Sequence, residues 1–424
     1  MGIGPVVGVD VSKRFSDMCI LAPDNSVFRR VKIYHDLTSM QRSLSALQDA
    51  EKEFGTKPVI VMESTAHYHR LLWKFMSDAG YNVIVINPIQ SGGLKNINVR
   101  KIKNDKVDAY KIAALYRLKN LRPSNMPVQA IGGLRALSRQ HHDIKQDITR
   151  YTNRLTALLD QAFPGYDAIF SRNTGKSSLD VLERFPTPHD ILEAKDGELY
   201  SVLLIRKRGK VFATSKADKL VGTARTALGL GIQRNADSIL IRSCVATIRL
   251  MQGNVDTIDN EMRKIITENP EIETNLCLLQ TIPGIGEYGA IVLLSEIGDF
   301  SSFSKPKQLA AFFGLDPSER QSGKFKGTKN KISKRGSRYV RCVLNMAAHN
   351  SIHPTRQGRV GNPVLASYFE KKRLSKPHKV AICAVMHKIV NIIFAVLRDQ
   401  KPFELRLPED HDRALKERNK LLAA

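Results

Sequence analysis

Two short apolar runs, Pro5-Val6-Val7-Gly8-Val9 and Pro58-Val59-Ile60-Val61-Met62, each end in a carboxylate, Asp10 and Glu63. Runs this short, rich in β-branched residues and bounded by turn residues, read as buried strands of a covered sheet. An acid ending such a strand sits where burial without a partner is costly. Two more acids, Asp105 and Asp108, lie three apart, at helical spacing, after the basic stretch Lys95 to Lys103. The chain has 66 Lys and Arg against 41 Asp and Glu, a net charge of +25, so such a cluster is not general surface charge. Gathered at one sheet edge, the four acids repel one another unless a divalent cation lies between them. Hard oxygen ligands suit Mg²⁺ or Mn²⁺, and two such ions can clamp the attacking and leaving oxygens of a phosphodiester. The competing reading is four unrelated surface acids.

Around these runs the pattern predicts strands at 5–11, 17–22 and 26–33, separated by turn residues such as Pro23, Asp24 and Asn25. A helix from an N-cap at Thr38 to Phe54, stopped by Gly55, comes next. A strand at 58–62, a helix at 68–79, a strand at 81–87 and a helix from Lys106 to Leu118 follow. The order βββαβαβ predicts a mixed sheet covered by helices. Residues 134–163 then change character. Leu134, Leu137, His141, Ile144, Ile148, Tyr151, Leu155 and Leu158 alternate in steps of three and four. The rhythm returns at Ile241, Cys244, Ile248, Met251, Val255, Ile258, Met262 and Ile265. Two sustained heptad patterns predict long coiled-coil helices, with amphipathic helices on a globular core as the alternative. Residues 164–233 between them read as an irregular, basic insertion at the tip of a helical hairpin, with Arg206-Lys207-Arg208-Gly209-Lys210 as its main run. The expected organisation is multidomain α/β plus α: a domain at 1–125, a coiled-coil region at 126–275 with the insertion, and a mainly helical domain at 276–424.

The excess of positive charge and a pI near 9.9 point to a large anionic partner, nucleic acid first and anionic membrane second. Five scattered cysteines without a CxxC pair fit a reducing cytosol better than a disulfide framework or zinc ribbon. No membrane span or signal peptide is expected, which makes the protein cytoplasmic. From Arg320 to Phe369 there are eleven Lys or Arg and no Asp or Glu. Within that stretch Lys324, Lys326, Lys329, Lys331, Lys334, Arg335, Arg338 and Arg341 form the densest basic run, with Phe325 and Tyr339 as candidate base-stacking rings. Gly284-Ile285-Gly286-Glu287-Tyr288-Gly289 fits GxGxxG but follows no strand. It reads instead as a helix-hairpin-helix-like turn holding phosphate, or as simple turn packing. His349 and His353 have the i,i+4 spacing of a zinc pair without an evident third ligand. His67 and His69 follow Glu63 closely, with surface placement as the simpler reading.

Gly8-Val9-Asp10-Val11-Ser12-Lys13, Met62-Glu63-Ser64-Thr65 and Asn104-Asp105-Lys106-Val107-Asp108-Ala109 resemble the DEDD set of the RuvC-like domain in insertion-sequence family 110 transposases. A second resemblance, to that family's C-terminal transposase domain, starts at Pro283-Gly284-Ile285-Gly286 and Glu296-Ile297-Gly298-Asp299. It continues through Gly314-Leu315-Asp316-Pro317 and Gln321-Ser322-Gly323 to Ile332-Ser333-Lys334-Arg335-Gly336-Ser337-Arg338. Together they span roughly residues 5–120 and 276–350. The resemblance implies a RuvC/RNase H-like N-terminal domain and a recombinase acting on donor and target DNA. It implies a Mg²⁺ site at Asp10, Glu63, Asp105 and Asp108 and a serine nucleophile at Ser322, set near Arg320 and Lys324. It further implies a bridge-type guide RNA, and a tetramer whose active sites join the two centres from different protomers. On the residues alone Ser322 is as well read as a turn residue, and Ser318 and Ser337 compete with it. A junction nuclease using the acids and water, a sugar-kinase-like ATPase and a non-catalytic scaffold are the alternatives.

Overall fold

The computed structural model describes residues 4–64, 67–86, 105–118, 129–195, 197–206, 209–230, 234, 236–318, 321–322, 325–326 and 331–423, with backbone alone at 105–107, 118, 129, 321–322, 325–326 and 418–423. The chain divides into two compact units, Met1–Met126 and Pro127–Ala424.

In the first unit β1 (Val6–Val11), β2 (Phe15–Leu21), β3 (Val27–Tyr34), β4 (Val59–Glu63) and β5 (Val83–Ile86) form one sheet in the order β3-β2-β1-β4-β5. β1 pairs antiparallel with β2, and parallel with β4, which pairs parallel with β5. The predicted βββαβαβ order is the observed one. α1 (Leu37–Phe54) starts two residues earlier than expected. Its N-cap is Asp36, whose carboxylate accepts from the Ser39 amide at 2.7 Å, and Gly55 ends it at φ 66°.

Alternation along the strands divides the core in two. Val7, Val9, Ile60 and Met62 face Met40 and Leu47 of α1 and Leu72 and Met76 of α2 (His69–Asp78). Val6, Cys19, Val61 and Ile86 face Ala109, Ile112 and Ala113 of α3 (Asp105–Leu118). Each fully buried aliphatic side chain here contributes about 1.5–3 kcal/mol.

The second unit is helical. α4 (Gln129–Ala162) and α9 (Asp237–Thr267) are the two long helices the heptads predict. They run antiparallel within one chain: Gly133 lies against Ile265, His141 is 3.4 Å from Asp259, and Leu155 shares a core with Ile241, Val245 and Ile248. The seam read from the sequence is therefore buried inside the protomer.

The tip between them is not irregular, which corrects the expectation for 164–233. α5 (Lys176–Arg184), α6 (Pro188–Leu192), α7 (Glu198–Leu204) and α8 (Lys210–Leu230) pack around Phe163, Tyr166, Leu179, Leu182, Leu203 and Leu220. Inside this body the buried Asp180 accepts from Arg206 at 2.6 and 2.8 Å and from Arg249 at 2.6 Å. Burial pushes its carboxyl up, but the hydrogen bonds from the two guanidinium groups outweigh that and hold it below 3.8. Arg206, the first residue of the basic run, is thus committed to the fold.

The other end of the hairpin joins a larger core with α10 (Pro270–Gln280), α11 (Glu287–Ile297), α12 (Pro306–Phe312), α13 (Arg338–Ile352), α14 (Pro363–Arg373) and α15 (His378–Asp399); α16 (Pro408–Ala423) follows. The expected boundary near 275 falls inside this unit. α15 is long and apolar enough to cross a membrane by length and composition, with an 18-residue window of mean hydropathy 2.3, but 56% of that window is buried inside the protein. Its apolar face, including Ile382, Val385, Ile389 and Ile393, is buried in the protein core.

Candidate active site

The sheet puts two of the predicted acids side by side. β1 and β4 are parallel and in register through Val9 opposite Met62, so Asp10 and Glu63 follow at the same carboxyl ends of adjacent strands. Alternation turns both toward the face covered by α3, since Val6 and Val61 already face it. Asp10 is half-buried, and Glu63 is 4% exposed.

Gly8 explains how α3 reaches them. A Cβ at this position would stand 2.0 Å from the Ala109 carbonyl oxygen and 2.6 Å from the Ala113 amide nitrogen. The helix backbone rests directly on the strand, a contact only glycine permits. Toward the other end of α3, Arg117 donates to the Gly4 and Ala22 carbonyls at the opposite end of β1. The helix therefore runs antiparallel to β1, with its first turn toward the Asp10 end. Asp108 lies in that region, 14% exposed at its side chain, with the Lys111 ammonium 3.3 Å away. Asp105 begins the helix, and its side chain lies outside the described residues, as do the basic stretch at 95–103 and Asn104. Among the described residues no three acids, histidines or cysteines stand in metal-holding contact. The donor set of carboxylates at adjacent strand ends and on the covering helix fits Mg²⁺ or Mn²⁺. Of the nearby histidines, His69 is buried at the start of α2, and His67 is exposed and packs on Tyr68.

Gly8→Ala is expected to push α3 off β1, lowering stability by about 1–3 kcal/mol and reducing cleavage through the displaced Asp108 turn. Thermal melting and a nicking assay measure both, and wild-type values in each would refute the packing argument.

The second candidate centre is an arm of the helical unit. Residues 314–318 and 331–334 run antiparallel: Ser318 N donates to the Lys331 carbonyl at 2.7 Å, Ser333 N to the Asp316 carbonyl at 2.7 Å, and Lys334 N to the Gly314 carbonyl at 3.0 Å. Beyond them β6 (Gln321–Ser322) and β7 (Phe325–Lys326) pair, with Ser322 opposite Phe325. Ser322 is thus the last paired residue of β6. Its side chain and those of Phe325 and Lys326 lie outside the described residues, as do Arg320, Gly323, Lys324 and Lys329 entirely.

The root of the arm is tightly closed. A Cβ on Gly314 would stand 2.6 Å from the Gly336 amide nitrogen, and one on Gly336 would stand 2.0 Å from the Phe312 carbonyl oxygen. Arg341 donates to the carbonyls of Phe313 at 3.1 Å and Gly336 at 2.7 Å, and burial lowers its affinity for its proton. Asp316 accepts from the Ser333 hydroxyl. The competing serines have other duties: the Ser318 hydroxyl donates to the Lys331 carbonyl at 2.8 Å, and Ser337 caps α13, accepting from the Val340 amide.

Of the predicted phosphate contacts, Lys331, Lys334, Arg335 and Arg338 are exposed, and Arg341 is engaged in the arm's root. Arg338 also donates to Asp143 at 2.8 Å. Tyr339 donates its hydroxyl to Asp143 at 3.1 Å, and its ring packs with Arg338, Arg139 and His142, so it is occupied within the protein. The buried Glu296 holds Arg139 through two hydrogen bonds of 2.6 and 2.8 Å, anchoring α4 to α11. Gly284 and Gly286 differ. Gly284 adopts φ 90° and faces the Ala347 carbonyl and Ser351 hydroxyl of α13, contacts that leave no room for a ligand on that side. A Cβ on Gly286, at the N-cap of α11, would meet nothing.

Asp143, Glu296 and the carbonyl clamp of Arg341 were not visible as pairings in the sequence, since their partners lie up to 196 residues away. Gly8 had a signal, as the single residue without a side chain in a run of valines.

A mixed sheet in this order, with acids at adjacent strand ends and a covering helix that brings a third toward them, is an RNase H-like domain. The model of the DEDD transposase domain of IS110 matches residues 7–164, and that of the transposase IS116/IS110/IS902 family matches residues 277–360. These two matches cover more than half of the chain, and the protein belongs to the IS110 family of transposases, enzymes that cleave and rejoin DNA. An insertion element IS110 protein of 43.6 kDa from Streptomyces coelicolor is 23% identical over 96% of this chain and 97% of its own length. A pilin gene-inverting protein from Moraxella bovis is 32% identical over 42% of this chain and 54% of its own length. Among solved structures, Thermus thermophilus RuvC bound to a Holliday junction substrate aligns with 28% of this chain and 99% of its own, at 12% identity and a TM-score of 0.22.

Proposed function

We propose that this transposase exchanges DNA strands through two chemical centres, a Mg²⁺-binding carboxylate set and the serine at the tip of the arm. The observation that carries the reading is the laying of α3 on Gly8, which directs the Asp108 turn toward Asp10 and Glu63. Bound Mg²⁺, held by Asp10, Glu63, Asp105 and Asp108, would neutralise charge on the scissile phosphate. The Ser322 hydroxyl attacks phosphorus, forming a serine–phosphate bond as the bond to the leaving sugar oxygen breaks. A hydroxyl of the second DNA end then attacks that phosphoserine, restoring the serine and joining the new strand. The phosphodiester energy is conserved, which hydrolysis would discard. Lys331, Lys334 and Arg335, exposed along the arm, supply phosphate contacts without reading sequence, and Gly286 opens the N-terminus of α11 to a further phosphate.

A guide RNA of the bridge type and self-association up to a tetramer complete the reading. Self-association is supported by the outer face of α9. There Ile239, Ser243, Ala246, Leu250, Gly253 and Thr257 recur in steps of four and three, all are exposed, and none is charged. A charge-free seam on a chain of net charge +25 suits a second copy better than a polyanion.

The test is recombination between plasmid-borne element ends by the purified protein, with and without RNase treatment. Rejoined products that vanish on RNase treatment are expected. Undiminished recombination without RNA would remove the guide, and cut but never rejoined ends would favour the junction nuclease.

A further inference from the structure

The face of the sheet that carries Asp10 continues past α3 onto open surface. Cys19 and Leu21 of β2 pack with α3, so by alternation Phe15 and Asp17 point to that same side. Val31 and Ile33 of β3 pack on the opposite side, which leaves Arg30, Lys32 and Tyr34 on the side of Asp10. The register lays these residues out in rows: Asp10 opposite Asp17, Asp17 opposite Lys32, and Phe15 opposite Tyr34 nearer the tip of the β1–β2 hairpin. Lys13 and Arg14 form that tip, closed by the Ser12 amide donating to the Phe15 carbonyl at 3.2 Å, and both are exposed. Arg30 and Lys32 are exposed as well, and Tyr34 is 50% exposed on the outermost strand. Its placement is fixed from behind. The Tyr34 amide donates to the Ser39 hydroxyl at 2.8 Å, and the rings of Phe15 and Tyr34 meet at 62° with centroids 6.3 Å apart. Lys32 holds its ammonium 3.6 Å from the centre of the Phe15 ring.

We propose that Tyr34 is a positioning residue for strand cleavage: it stacks on an unpaired base of the DNA strand entering the carboxylate centre, while Arg30, Lys32, Lys13 and Arg14 hold that strand's phosphates. The proposal rests on the reading of Asp10 and Glu63 as that centre. Two strand spacings of about 4.8 Å and two residues at about 3.4 Å put the Tyr34 Cα about 12 Å from that of Asp10. Three or four nucleotides at a rise of about 3.4 Å span that gap, so one strand can reach both the acids and the ring. Asp17, half-buried between Asp10 and Lys32, belongs to the acidic end of the row, and the face turns basic at β3. A half-exposed ring, backed by a second ring and flanked by cations on one sheet face, has the make-up of a single-strand platform. The base it takes is unpaired, because bases inside a duplex offer no open face, and strand exchange frees such bases. Tyr339, the ring expected from the sequence to stack on bases, is spent instead on Asp143. The competing role for charges on an outer strand is to keep its edge from pairing with another chain. Arg30 and Lys32 serve that role by themselves, and it gives Tyr34 nothing to do.

The experiment uses full-length protein and single-stranded DNA of the element end, with a fluorescent aminopurine base at successive positions beside the cleaved phosphate. Stacking on tyrosine quenches this base, so the parent protein should darken a short run of positions. Tyr34→Ala should restore the fluorescence, weaken oligonucleotide binding about tenfold and slow nicking, while Tyr34→Phe and Tyr34→Trp keep parent behaviour. Lys32→Gln and Arg30→Gln should each reduce the slope of log affinity against log salt by about 0.7. Tyr34 borders solvent, so the melting curve of Tyr34→Ala should match that of the parent. Quenching is read on Asp10→Asn protein too, so that failure of the carboxylate centre, seen as parent-like nicking by that variant, is told apart from failure of the stack. Parent-like quenching, binding and nicking by Tyr34→Ala overturn the proposal and leave the cations of β3 as guards of the sheet edge. A loss confined to single-stranded RNA overturns it as well, since it would assign the platform to a guide.

Discussion

Asp10→Asn is expected to slow strand cleavage by about a thousandfold or more while leaving DNA binding nearly intact. Removing one charged ligand from a carboxylate set forfeits several kcal/mol of charge stabilisation at the scissile phosphate, and about 1.4 kcal/mol corresponds to tenfold in rate. Asparagine has the volume of aspartate, so β1 keeps its register with β4 and the covering helix keeps its seat on Gly8. The loss should appear in a nicking assay on element-end DNA across Mg²⁺ concentrations, and mobility shifts should report unchanged binding. Because Glu63 occupies the matching end of the neighbouring strand, Glu63→Gln should behave alike, and the double variant should be little worse than either single one. Parent-like cleavage by Asp10→Asn would end the case for the carboxylate centre.

Ser322→Ala should abolish the covalent protein–DNA adduct and strand exchange together. The measurement is a denaturing gel of end-labelled DNA after reaction, where parent protein retains label and the variant does not. The two neighbouring serines are built-in controls. Ser318 donates to the Lys331 carbonyl and Ser337 caps α13, so alanine at either should preserve the adduct. Ser337→Ala should instead lower stability by about 1 kcal/mol, the usual cost of a lost N-cap. An adduct retained by Ser322→Ala and lost by Ser318→Ala would move the nucleophile along the arm; exchange without any adduct would remove the serine mechanism.

The strand ends that carry Asp10 and Glu63 were legible in the sequence because strands announce themselves locally. Val7, Val9, Ile60 and Met62 alternate with residues facing the other layer, and an acid ending such a strand has few places to go. What joined α3 to that edge was a contact between backbones, and a missing Cβ carries no pattern of its own. The tip of the hairpin was misread for a different reason. Its helices are as short as five and seven residues, and its aromatics Phe163, Tyr166 and Phe185 are spaced without period, so most of its elements offer too few turns for a pattern to stand out. The heptads of α4 and α9 were read correctly as a seam, but periodicity does not say whether the partner is another copy or the same chain. Cations were the least legible of all. Arg206 and Arg341 look like their neighbours in composition, and only geometry shows that one neutralises a buried aspartate and the other ties two carbonyls together.

The antiparallel pairing of α4 and α9 also bears on how such a protein diverges. Leu155 and Leu159 near the end of one helix share a core with Ile241 and Val245 near the start of the other, so the tip body enters and leaves at one place. A segment with adjacent ends can be lengthened, shortened or replaced without changing the register of the helices below it. The first family match stops at residue 164, where α4 hands over to that body, and the second begins at 277, beyond α9. The hairpin works as a socket: lineages can renew what it carries while the chemistry at either end of the chain stays as it was.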